Sequence, residues 1–190
     1  LILPPDNFVK RVLPNSFILY KPKDIVSGDF YWVDEKAGKS YFAAVDCTGH
    51  GVPGAFMSIV GYNLLKEIIS KGADQTPAAV MLQMKQGVSK TLHHGQSEDN
   101  NAKDGMDMSM CSINYDNLEL QYSGAYNPLY LIRDGKLTQY TADKFPVGYM
   151  EGTEDKAFTN NIIRLQREDT IYIFSDGYAN RKSTRLNSSH

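Results

Sequence analysis

Cysteine is scarce in this chain: Cys47 and Cys111 are the only two among 190 residues, far apart and with no C-x-x-C spacing. That pattern excludes a disulfide framework and a cysteine zinc site, and it fits a reducing, cytoplasmic setting. Long hydrophobic runs are missing as well. None approaches the roughly eighteen residues a membrane helix requires, and no signal peptide is visible. Nor is there a surplus of one charge: 20 Lys and Arg stand against 22 Asp and Glu, a net charge of −2 that offers no basic face to nucleic acid or to a membrane. No internal repeat or low-complexity linker divides the chain, and its length suits one domain with a real core.

Both ends read as cut. The chain opens on Leu1 in "LILPPDNFVKRVLP", which reads as a connection entering a domain, while "STRLNSSH" at the other end is polar and unpatterned. Residues 1–181 are therefore expected to form the domain, truncated at both ends, and residues 182–190 a non-native cloning or sequencing remnant.

What the chain does contain is aromatic and β-branched runs separated by polar turns. "DFYWV" (29–33) and "YFAAV" (41–45) flank "DEKAGKS" and read as a hairpin. From Pro53 to Ser70 the pattern turns helical, with Phe56, Ile59, Val60, Leu64 and Ile68 on one face and Gly72 as a stop. A second helix starts at Thr76 and Pro77, carries Val80, Met81, Met84, Val88 and Leu92, and fades in "HHGQSEDNNAKDG". Strands follow at 106–113 and 118–123, at 129–133 and 136–141 across Asp134-Gly135, and at 162–165 and 170–175. Paired helices among antiparallel hairpins describe an α+β domain with helices packed on sheets.

Gly49, Gly51 and Gly54 in "VDCTGHGVPGAFMS" spell G-x-G-x-x-G, the fingerprint of a dinucleotide-binding turn. The surroundings contradict it. A dinucleotide fold needs a second parallel strand ending in an acid about twenty residues on, whereas a second helix follows here. Asp46 moreover stands where a pyrophosphate would have to approach.

Acidic residues instead mark the ends of apolar strands. Asp29 precedes "FYW", Asp46 ends "YFAAV", Asp107 lies between Met106 and Met108, and Asp176 ends "IYIFS". A carboxylate among buried residues must be paired, hydrogen-bonded or metal-bound. Several of them, with no matching cluster of His or Cys, make an oxygen-only donor set suited to Mg²⁺ or Mn²⁺ rather than zinc. Two such ions can share a bridging carboxylate and a bridging water and present hydroxide in line with phosphorus.

"SGDFYWV", "AAVDCTGHGVPGAFMS", "DGMDMSMCSI", "SGAYNPLYLIR", "FPVG" and "IYIFSDGY" resemble, in that order, the motifs of bacterial metal-dependent serine/threonine phosphatases of the sporulation stage II E type, in the PPM superfamily. The resemblance runs from about Leu3 to Tyr178 and implies an αββα sandwich, two central antiparallel sheets flanked by helices, with two Mn²⁺ or Mg²⁺ ions at one edge. It implies that Asp46 bridges both ions, that the carbonyl of Cys47 is a ligand, and that Asp107 and Asp176 complete the core set. Asp29 matches the family's early aspartate beside the metals, with contact through metal-bound water as one route. Asp104 competes with Asp107 for its role, and the strand pattern prefers Asp107.

By the same resemblance, the reaction is direct hydrolysis of phosphoserine or phosphothreonine on a regulatory protein, such as an anti-sigma-factor antagonist, under an upstream sensor domain. The helix from Pro53 is tied to Asp46 through the glycine turn and would serve as an activation switch. The rival reading is a non-catalytic phosphoprotein-binding module of the same fold. This chain departs from the family pattern in having Cys47 after the bridging aspartate and "YANRK" after "SDG", where an acid is common.

The remaining candidates have plainer explanations. His50, in the glycine turn, could position substrate or donate a proton, with loop structuring the simpler role. Asn127, with Pro128, reads as a turn shaping the wall beside the site, and direct substrate contact is the minor alternative. His93 and His94 close a helix, where cations suit the dipole. Cys111 and Met106, Met108 and Met110 read as core.

Overall fold

In the computed structural model, which describes residues 3–22, 27–49, 51–72, 74–93 and 105–177, the first aromatic runs become strands β1 (Phe30–Lys36) and β2 (Lys39–Cys47). Ala37 and Gly38 join them with φ of 51° and 75°, the left-handed pair that lets a tight turn follow the twist of its strands. Seven strands come later: β3 (Gly105–Asn114), β4 (Glu119–Ala125), β5 (Leu129–Arg133), β6 (Lys136–Tyr140), β7 (Val147–Gly148), β8 (Asn161–Arg164) and β9 (Thr170–Ile173). They form two antiparallel sheets. One has the order β1-β2-β3-β4-β8 with β7 added to β3, and the other the order β6-β5-β9. The hairpins expected from the sequence are present, their ends shifted by at most three residues.

Alternation along the strands builds two cores. Phe30, Trp32, Val45, Met106, Met108 and Met110 face the helices, whereas Val33, Phe42, Cys111 and Tyr122 meet Leu129 and Leu131 between the sheets. The helical layer consists of α2 (Gly51–Lys71) and α3 (Pro77–His93), preceded in the chain by α1 (Asp6–Val12). In α3 the expected face is right, since Val80, Met81, Met84 and Val88 are fully covered. The α+β class and the paired antiparallel sheets are those expected.

Two expectations need correction. The segment read as a plain connection contains α1, which starts after Pro5, carries Asp6 in its first turn and Lys10 and Arg11 in its last, and buries Val9 and Val12. Its charges suit the helix dipole, but seven residues are too few to establish a period. On α2 the predicted face holds only toward the C-terminal end, where Ile68 is buried and Leu64 packs against the core; Phe56 is 65% and Ile59 43% exposed, while Gly54, Met57, Ser58, Gly61, Leu65 and Ile69 are buried. The helix approaches the sheet through its small residues. A Cβ on Gly61 would stand 2.7 Å from Met106 Sδ, so the sheet's own side chains fill the gap.

Candidate metal centre

The acids converge because of strand register. Asp46 and Asp107 are direct cross-strand partners on β2 and β3, and Asp29 lies one residue before Phe30, which pairs with Val45. All three therefore sit at the same end of the six-stranded sheet, on the face turned to the second sheet. Asp176 reaches them from beyond the end of β9. Its carboxyl and that of Asp29 both lie within hydrogen-bonding reach of Asp46.

The electrostatics follow from that crowding. Burial, then the charge of Asp29, then that of Asp176 push Asp46 up from 3.8 to about 8. Burial and the charge of Asp176 raise Asp107 to about 6. Every contributor to these two shifts acts in the same direction, and no cation is among them. A set of buried carboxyls with uncompensated charge is what a divalent cation would neutralise. Among the described residues, no three His, Cys, Asp or Glu side chains are already gathered closely enough to hold an ion.

Close backbone packing holds Asp46 in place. The turn after Cys47 is tied to β3, with Thr48 N–H and Thr48 Oγ1 each donating to Gly105 O at 3.0 Å. Gly28 and Gly54 press on the same turn. A Cβ on Gly28 would lie 3.1 Å from Cys47 O, and one on Gly54 only 2.4 Å from Gly49 O. The G-x-G-x-x-G pattern thus serves backbone contact between strand, turn and helix, with Asp46 at its mouth. The Cys47 thiol is buried, and desolvation followed by the charges of Asp46 and Asp29 pushes it up, away from the thiolate. A buried thiol held away from the thiolate is a poor nucleophile and little exposed to oxidation.

Asp29 is positioned by partners the sequence reading did not single out. Ser175 Oγ donates to Asp29 Oδ2 at 2.9 Å, Tyr20 OH donates to Asp29 O at 3.0 Å, and Asp29 N–H donates to Ser27 Oγ at 3.0 Å. Ser175 was legible only as the last polar residue of an apolar strand. Its partner lies 146 residues away, and no local signal joins them. Asn127, expected to shape a wall, is 7% exposed. His50 and Asp104 lie outside the described residues, as do His94 and residues 182–190.

The sequence matches the family model for stage II sporulation protein E over residues 36–188. No curated protein matches. Among solved structures, the SiaA-PP2C domain of Pseudomonas aeruginosa superposes with a TM-score of 0.78 at 27% identity, covering 92% of this chain and 66% of that one. The PP2C phosphatase domain of SpoIIE from Bacillus subtilis, solved with a fragment of its regulatory domain, gives 0.64 at 20% identity over 81% of this chain and 42% of that one. RsbX, solved in complex with magnesium, gives 0.63 at 14% identity over 84% and 71%. The chain thus spans less than two thirds of the first two, and the two structures at the lower identities show likeness of fold.

Proposed function

Because the chain belongs to the stage II sporulation protein E family of PP2C-type phosphatases, we propose that residues 1–181 form a Mg²⁺- or Mn²⁺-dependent catalytic domain that hydrolyses phosphoserine or phosphothreonine on a regulatory protein. The observation that carries this reading is the strand register that sets Asp46 opposite Asp107 and brings Asp29 beside them at one sheet end, a crowded row of carboxyls. The donor set is oxygen-only, as those ions require. Magnesium bound to RsbX, a protein of the same fold, supports the choice of metal.

In this reading Asp46, Asp107 and Asp176 hold two ions, with Asp29 and the Cys47 carbonyl beside them. When bound, the ions supply a Lewis acid for the phosphoryl oxygens and lower the pKa of water. The chain's own residues supply position. Thr48 and the glycine contacts fix the Asp46 turn, and Ser175 and Tyr20 fix Asp29. Burial and the neighbouring carboxyls raise the Asp46 carboxyl, so a bound cation would compete with its proton and metal affinity should rise with pH.

The substrate class we favour is a small phosphorylated regulator, such as an anti-sigma-factor antagonist, with an upstream sensor controlling α2. The test is hydrolysis of a phosphoserine peptide in EDTA, Mg²⁺ or Mn²⁺, with Asp46→Asn alongside. Metal-dependent turnover that the substitution abolishes supports the proposal. A folded protein with no turnover in any condition returns the reading to a phosphoprotein-binding module.

A further inference from the structure

Among the described residues, two buried side-chain polar atoms lack a hydrogen-bond partner: Ser123 Oγ and Asn127 Nδ2. Ser123 pairs with Met110 on the helix-facing side of the sheet, away from the acids. Asn127 is placed differently. It stands just before β5, and its carbonyl accepts from Ser109 on β3 and Tyr122 on β4, side chains on the face turned to the second sheet, which places Asn127 in the layer between the sheets. Leu129 pairs with Ile173. Continued by two residues, that register sets Asn127 level with Ser175, whose hydroxyl already holds Asp29.

The opposite sheet meets Asn127 one same-face step along β3 from the acidic row. Ser109, two residues along β3 from Asp107 and on the same face, donates its hydroxyl to Asn127 O at 2.8 Å. Tyr122 OH donates to the same carbonyl at 2.7 Å. Asn127 N–H donates to Ala125 O at 2.7 Å, closing a tight turn around Tyr126, whose φ is 59°. A γ-turn of this hand is rare and strained, and an unpaired buried donor is costly. Both costs fall on adjacent residues at the site end of the fold, and the backbone of Asn127 is held on both its polar groups. The side-chain amide is thereby fixed in place with its donors unused.

We propose that Asn127 is a positioning residue for the metal centre: its Nδ2 donates to the Asp107 carboxylate when that carboxylate holds a cation. The proposal rests on the phosphatase reading above. It requires no contact between Asn127 and the phosphoprotein, consistent with burial of the amide. Partners of this kind, set behind a ligating group, typically change metal affinity by about 10- to 100-fold when removed.

The test uses Asn127→Leu, of similar size and without donors, and Asn127→Ala as a second variant should the first fold poorly. Mn²⁺ binding is followed by the electron paramagnetic resonance signal of the free ion, and melting temperature is measured in EDTA. We expect Asn127→Leu to melt no lower than the wild type in EDTA, since it removes an unpaired buried donor, yet to bind Mn²⁺ at least about tenfold more weakly. At saturating metal, kcat for a phosphoserine peptide should fall with KM unchanged. Metal affinity within twofold of the wild type in both variants overturns the proposal, as does a raised KM at unchanged kcat. A wild-type protein that binds no Mn²⁺ overturns the phosphatase reading itself, and this proposal with it.

Discussion

Gly54→Ala separates two effects of opposite sign. Replacing glycine by alanine inside a helix ordinarily stabilises by about 1 kcal/mol, because alanine has less backbone freedom to lose. In α2, however, the new Cβ would lie 2.4 Å from Gly49 O, 3.0 Å from Gly49 C and 3.3 Å from Gly28 Cα. Real Cβ contacts are almost never below 3.0 Å, so helix and turn must part by at least about 0.6 Å. The obstructing atoms are backbone, and no side chain can swing aside. Forced overpacking of this kind costs about 1–3 kcal/mol, which outweighs the propensity gain at all but its lower limit. The net expectation is a loss of up to about 2 kcal/mol, or up to roughly 8 °C in melting temperature for a domain of this size.

Because the displaced turn directly follows Asp46 and Cys47, metal-dependent phosphatase activity should fall by more than the stability loss alone accounts for. Misplacement approaching 1 Å at a reacting centre costs up to about 100-fold. Gly87→Ala is the control. Its Cβ would meet Leu64 Cδ2 at 2.8 Å, the far end of a flexible side chain, so melting temperature and turnover should stay close to wild type. Differential scanning calorimetry and a phosphopeptide assay read both variants. Gly54→Ala melting at or above the wild type, with full activity, would refute the claim that backbone contact between α2 and the turn fixes the site.

Two further predictions concern charge. In EDTA, the raised pKa of Asp46 favours the folded state at low pH, and that advantage is lost as pH rises through about 8. Asp46→Asn lacks this dependence, so its melting temperature should gain on the wild type from the ordinary value of 3.8 up to about 8 and then level off; a constant gap would contradict the assigned crowding. At the far end of the sheets, Asp169 accepts from Arg133 Nε at 2.8 Å and Nη2 at 2.6 Å, and Arg133 also donates to Arg164 O at 2.9 Å, linking the two sheets. The guanidinium holds the Asp169 carboxyl below its usual range. Asp169→Asn should therefore lower the melting temperature by a few degrees near neutrality, with the difference closing as pH falls through the depressed pKa of Asp169. Equal melting across that range would show the pair to be energetically idle.

Much of the fold was legible because its strands alternate and its turns carry their own chemistry. Asp134-Gly135 and Ala37-Gly38 both adopt the left-handed pair such turns need. The candidate site was legible as acids interrupting apolar runs, a pattern that local burial makes costly and therefore informative. What escaped depended on distance or on missing side chains. Ser175 reaches Asp29 through tertiary contact alone. The buried face of α2 was misread because apolar residues were counted, whereas the contact uses Gly54, Ser58 and Gly61, whose smallness lets the sheet come close. Asn127 showed the reverse: a turn-like dipeptide gave no hint that its amide would be buried unpaired.

The pairing of Asp46 with Asp107 carries a consequence for how this domain can change over time. Val45 packs among the helix-facing core residues while Asp46 faces the second sheet, so a one-residue slip of β2 would exchange them. Insertions and deletions within β2 or the paired part of β3 are then closed to the lineage, because each would move an apolar residue, Val45 on β2 or a methionine on β3, into the acidic row and a carboxylate into the oil. Length variation is admissible only at the Ala37-Gly38 turn and in the connections. On the phosphatase reading, turnover per folded molecule would then report strand register, falling silent in any chain folded one residue out of step.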